Sequence, residues 1–219
     1  MRNGARRVAR PGRRLVRANR EMDGPTDKRL LAVCQVEDFG PPELGLIDAL
    51  TRLYGRGWQI TVTTPTTRPA GLPDDFGWAA LELGGLAHGA GARAVASWPR
   101  ARRLAREHDL VYLNGSVAGR LIPALRTRPV VLHVHDMVRR VPRHWLNADL
   151  VLADSRSAGI VLDPLEVHVV GSPVAVDEAR SGADTVQIPP AEYAELLHGL
   201  LDDVTLRKRR VASVRLGSS

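Results

Sequence analysis

"RPVVLHVHDMVRRVP", residues 128–142, is an unbroken apolar run that closes on His133, His135 and Asp136. A run without polar alternation reads as a strand covered on both faces, as in a parallel sheet wrapped by helices. Side chains alternate along a strand, so His133 and His135 share a face, while Asp136 points away or opens the loop. Three readings compete for this polar end: a metal site, a substrate-contacting strand end, or ordinary polar residues where a strand leaves the core.

The same alternation of short β-branched runs and helix-length segments extends in both directions. Upstream, "LLAVCQV" (30–36) leads through "EDFGPP" into a helix that spaces Leu44, Ile47, Leu50 and Leu53 at helical intervals, with Gly55 and Gly57 at its end. "WQITVTT" (58–64) is a strand stopped by Pro65, and residues 65–97, rich in Gly, Pro and Ala, read as a long loop around a short strand near 79–83. "PRARRLAREH" reads as a helix, "DLVYLN" (109–114) as a strand, and "SVAGRLIPALR" as a helix with Ser116 at its N-cap. Downstream, a short helix is expected around 139–147. Strands follow at 148–154 and 166–174, with Ser155 capping a helix between them. Six or seven strands in about 150 residues predict one α/β, doubly wound parallel sheet. The stretch after Asp177 holds one possible strand (184–188) and then helical text from about residue 190. Pro190 opens it, and Tyr193, Leu196, Leu197, Leu200 and Leu201 form an apolar stripe.

Charge divides the chain. The net charge of +7 includes eight arginines within residues 1–20, where no acid occurs; without them the remainder stands at −1. Residues 1–27 are expected to be a disordered basic tail, with an anionic surface as a partner of residues 1–20. No run is apolar enough for a transmembrane segment. The single Cys34 lies in an apolar run and fits a buried thiol in a reducing compartment, so a cytoplasmic location is expected.

Zinc needs three or four ligands, and His88, His108, His144, His168 and His198 form no second cluster, so neither a metal nor a cofactor is expected. The carboxyl ends of parallel strands are where doubly wound proteins keep their sites. Small or polar residues stand at four of these ends: Gly40 in the first loop, Asn114-Gly115-Ser116, His135-Asp136 and Asp154-Ser155. Singly, each has a capping or turn reading. As a set they favour a cleft. No phosphate-binding loop, nucleophile elbow or Cys-x-x-Cys motif competes with them.

The order of parts resembles the N-terminal half of a family-4 glycosyltransferase of GT-B fold. "ALTRLYGRGWQITVTT" stands where that family has its L-x-x-R-G-H-x-V-x-V phrase. "DLVYLNGS" matches its D-h-V-h strand, "PVVLHVHD" its strand ending in His-Asp or His-Glu, and "ADLVLADS" its A-D-x-V-h-x-x-S. "VHVVGSPVAVD" is similar to the linker into the second domain. The resemblance covers residues 29–177. It implies hexosyl transfer from a nucleotide sugar by a retaining mechanism. His135, with Asp136, would lie in the interdomain cleft as catalytic residues. Gly40, Asn114, Gly115, Ser116 and Ser155 would line the donor or substrate side.

Two features depart from the family pattern. Pro41-Pro42 follow Gly40 and remove two N–H donors, and no two glutamates are eight apart to supply the family's Glu-x7-Glu motif. The sequence therefore reads as a truncated, Rossmann-like acceptor-side domain (28–177) with a C-terminal helical remnant docking on it (178–219). Such a chain would bind a nucleotide sugar weakly by itself and depend on a donor-domain partner chain. The reading from another class is a non-catalytic Rossmann-like binding or scaffold protein, or an adaptor to anionic surfaces through its Arg-rich tail.

Overall fold

A computed structural model describes residues 28–85, 90–135, 138–171 and 188–216, with side chains in the last segment as far as Lys208. Seven strands lie in these residues: β1 (Lys28–Val33), β2 (Trp58–Thr64), β3 (Gly77–Ala80), β4 (Leu110–Asn114), β5 (Val130–Val134), β6 (Leu150–Ala153) and β7 (Val167–Val169). They form one sheet in the order β3-β2-β1-β4-β5-β6-β7, with every pairing parallel. Connections run outward to one edge from β1 and to the other from β4, so the topological switch point lies between these two strands. Every residue of β4, β5 and β6 is buried, which is why these segments read as continuous apolar runs. The edge strands β3 and β7 are partly exposed.

Helices α1 (Pro41–Tyr54) and α4 (Pro190–Leu216) cover one face of the sheet. Helix α2 (Ala90–Arg106), 3-10 segments Ala118–Ala124 and Arg143–Asn147, and α3 (Arg156–Ile160) cover the other. Strand parity sorts the core between them. Leu30, Ala32 and Cys34 face α1 and α4, whereas Leu31 and Val33 face α2. Cys34 is fully buried, and burial, reinforced by the Glu43 carboxylate, pushes its thiol up to about 12.

Several expectations need correction. On α1 the sheet-facing stripe is Leu46, Ile47, Leu50 and Leu53, while Leu44 is exposed. Helix α2 starts at Ala90, not near residue 99. Its Ala90, Ala94, Ala101 and Ala105 are buried, it packs closely against the 3-10 segment Ala118–Ala124, and Pro99 sits inside it. The expected helix after Ser116 is a 3-10 segment whose N-cap is Val117, with no side-chain cap. Here Gly119 lets Trp145 approach: a Cβ on Gly119 would lie 2.6 Å from Trp145 Nε1. The helix expected around 139–147 is likewise a short 3-10 segment. The possible strand at 184–188 and most of the linker after Asp177 lie outside the described residues, as do residues 1–27.

The C-terminal helical text forms one helix. Tyr193, Leu197, Leu201 and Val204 repeat at helical spacing and are buried against α1 and the sheet, whereas Leu196 stays exposed. Helix α4 is also pinned by charge. The chain has only two lysines, and both serve this contact. Lys28 at the start of β1 meets Asp202 at 2.7 Å, and Lys208 meets Asp149 at 2.8 Å and donates to the Arg128 carbonyl.

Candidate functional site

Parallel register assembles the site. Asn114 on β4 pairs with His133 on β5, which pairs with Leu152 on β6. Two residues further along, past the strand ends, His135 stands beside Asp154, and the period of two keeps all four polar side chains on the α1/α4 face. His135 Nδ1 lies 2.6 Å from Asp154 Oδ2, and His135 Nε2 lies 2.7 Å from Asn114 Oδ1. The two histidine rings are 4.0 Å apart between centroids. Three neighbouring strands thus converge on one imidazole at the carboxyl edge of the sheet.

Behind His135 the polar chain continues into the core. His133 is buried; its Nδ1 meets the Tyr112 hydroxyl at 2.5 Å, and Tyr112 in turn bonds Tyr193 from α4. On the other side, His133 Nε2 sits 2.8 Å from Asp154 Oδ1 but is misaligned, so neither atom has a hydrogen-bond partner among the described residues. Burial, with the neighbouring His135, holds the His133 imidazole down at about 4 despite the Asp154 carboxylate. Burial pulls the Asp154 carboxyl up, but the two imidazoles outweigh it and hold the group well below the usual carboxylate range. Burial also raises both tyrosines well above their ordinary value, keeping their hydroxyls protonated.

The remaining sequence-derived candidates fall in different places. Gly115 turns the chain after β4 with φ +87°, a left-handed conformation that favours glycine, and Ser116 follows it. Asp136 lies outside the described residues. Ser155 spends its hydroxyl capping α3, accepting from the Ala158 N–H at 3.1 Å. Gly40 is the N-cap of α1 at the carboxyl end of β1, on the same face of the sheet as His135. Its N–H is already engaged: it donates to Glu43 Oε2 at 3.2 Å, the N3-carboxylate half of a capping box. A carboxylate therefore occupies the helix terminus where an anion would otherwise dock.

His133 and Asp154 were noted in the sequence as strand-end polar residues but given no role, and Tyr112 and Tyr193 were not selected. Asp154 was visible beside Ser155 as a strand-end polar residue. Its partnership with His135 depends on the β5–β6 register, which no local pattern encodes. Tyr193 reads as part of an apolar stripe, and only the docking of α4 turns its hydroxyl toward Tyr112.

No protein-family model and no curated protein sequence matches the chain. Solved structures match it over about half of their own length. The glycosyltransferase from Rickettsia africae ESF-5 aligns with a TM-score of 0.54 at 14 % identity, covering 70 % of this chain and 45 % of that one. The fold is Rossmann-like, of the GT-B kind. MurG of Acinetobacter baumannii aligns with TM-score 0.48 at 16 % identity, covering 72 % of this chain and 49 % of that one. HepE of Anabaena, solved with UDP and glucose, aligns with TM-score 0.46 at 18 % identity over 70 % and 47 % of the respective chains. At such identities the likeness shows the fold alone. Among the described residues no helix is long and apolar enough to cross a membrane.

Proposed function

We propose that this chain is the acceptor-side half of a GT-B glycosyltransferase of the family-4 type. It would take part in hexosyl transfer from a nucleotide sugar gripped mainly by a second, donor-binding unit. The observation that carries the reading is the His135 imidazole, held from two sides by Asp154 and Asn114 at the carboxyl edge of a Rossmann-like sheet. Asp154 and Asn114 fix the ring, and an imidazole held in place at the cleft suits a directed hydrogen bond to a sugar or leaving-group oxygen. Because Nε2 is paired with Asn114, a substrate oxygen would reach His135 by exchanging with the Asn114 carbonyl.

The test combines the chain with a candidate donor-binding partner and a panel of nucleotide sugars, reading nucleotide release. The isolated chain should bind nucleotide sugars at about millimolar Kd, roughly −4 kcal/mol, without turnover. With the donor unit present, His135→Ala should lower turnover about 100-fold. It should also cost about 1–3 kcal/mol of stability by unpairing Asp154 and Asn114, so rates are compared well below both melting transitions. Transfer by the purified chain that His135→Ala leaves unchanged would overturn the assignment.

The Glu43 capping box supports a second reading, in which the cleft no longer binds a donor phosphate and the domain acts as a scaffold. Glu43→Gln would separate the two: tighter nucleotide-sugar binding supports the transferase lineage, and no change supports the scaffold.

A further inference from the structure

We propose that His133, His135 and Asp154 form a binding site for one divalent transition-metal ion of the zinc class. One ligand atom from each residue lies within 4.8 Å of the others. His133 lies in the β5 ladder, and His135 and Asp154 follow the last paired residues of β5 and β6.

The ligand atoms of the cluster already converge at close range. His133 Nε2 and Asp154 Oδ1 are buried, 2.8 Å apart and without an aligned hydrogen bond among the described residues. His135 Nδ1 lies 2.6 Å from the other carboxylate oxygen of Asp154. A metal ion would satisfy His133 Nε2, His135 Nδ1 and the carboxylate together.

The surrounding groups match what metal-bound histidines require. A ligating imidazole is oriented by a partner on its other nitrogen. Tyr112 fills that position at His133 Nδ1, and Asn114 fills it at His135 Nε2. Two imidazoles and one carboxylate suit zinc, cobalt or nickel; magnesium and calcium favour all-oxygen shells. Bonds of about 2.0–2.1 Å place neighbouring ligand atoms roughly 3.3 Å apart, so the Asp154 carboxylate would retreat by roughly half an ångström on binding. His133 is sealed in the core, whereas the His135 and Asp154 side chains are each 17 % exposed, so a further coordination position would open toward the cleft. The inference does not depend on the transferase reading, since it concerns what these side chains hold whatever the domain transfers.

Untagged, chelator-treated full-length chain titrated with zinc by calorimetry, and with cobalt by visible absorption, tests the site. The expected result is one equivalent bound at micromolar Kd or tighter, with low-symmetry cobalt bands and a zinc-dependent rise in melting temperature. Asp154→Asn and His135→Gln should each weaken binding tenfold or more. Tyr112→Phe, which touches no metal, should weaken it about tenfold. His168→Gln and His198→Gln, away from the cluster, should leave it unchanged. If Asp154→Asn fails to fold, the His135 and Tyr112 variants decide. Absence of stoichiometric binding, or binding that His135→Gln and Tyr112→Phe leave intact, would overturn the proposal.

Discussion

Burial treats the histidines of this chain unequally, and His108 isolates the effect away from the cleft. It lies just beyond α2, buried, with Nδ1 donating to the Leu104 carbonyl at 2.7 Å. Burial lowers its proton affinity, and Arg29 acts in the same direction. The Leu104 carbonyl and the acids Glu107 and Asp109 oppose the shift without cancelling it. The folded state therefore binds fewer protons at His108 than the unfolded chain. Its contribution is complete above the unfolded value near 6.5 and is lost as pH falls below it. Urea denaturation at about pH 7 and about pH 5 should show wild type losing more stability on acidification than His108→Gln. Equal losses would refute the assignment. The sequence set His135 apart as a strand-end residue but did not show that His108 is buried, because depth depends on tertiary neighbours. The same limit applied at the cleft. His135 and Asn114 could be picked out as strand-end polar residues, whereas the roles of Asp154 and Tyr193 required knowing which strands pair, in what register, and where the last helix docks.

Among the elements, β2 was legible to the residue, since Pro65 stops it and six of the seven residues before it are β-branched or aromatic. The parallel sheet was legible for the reason its central strands are buried: continuous apolar runs have no solvent face. Helix α2 was hidden by its alanines, which resemble loop composition when mixed with Gly and Pro yet have the highest intrinsic helix propensity. Helix α4 was recognised from its period, but its buried face is Tyr193, Leu197, Leu201 and Val204, with Leu196 left in solvent. Its docking should rest on that face far more than on its ion pairs. Leu197→Ala should cost about 2–5 kcal/mol in chemical denaturation. Lys28→Met and Lys208→Met remove partly exposed pairs and should cost about 0–1 kcal/mol each. A larger loss from either lysine than from Leu197 would mean that charge holds the helix.

For the molecule as a whole, the net basicity is concentrated in residues 1–20. The part beyond residue 20 carries a net −1, and both of its lysines are paired with aspartates. It has little net field with which to attract a polyanion. Residues 1–20 carry eight arginines and no acid, and they lie outside the described residues. Near an anionic surface each basic residue contributes about 1 kcal/mol, so eight in sequence can drive association that the body cannot. Full-length protein should therefore bind vesicles containing phosphatidylserine at low salt, and release from them as ionic strength rises through about 0.2 M, where the Debye length falls below about 8 Å. Deleting residues 1–20 should abolish that binding. It should leave the melting temperature within about 1 °C, since a segment this polar buries too little apolar surface to stabilise the sheet. Sedimentation with vesicles and a thermal melt of the two proteins decide the matter. Retained vesicle binding would assign the basic surface to the body, and a melting temperature lowered by several degrees would show that the arginine segment packs on the fold.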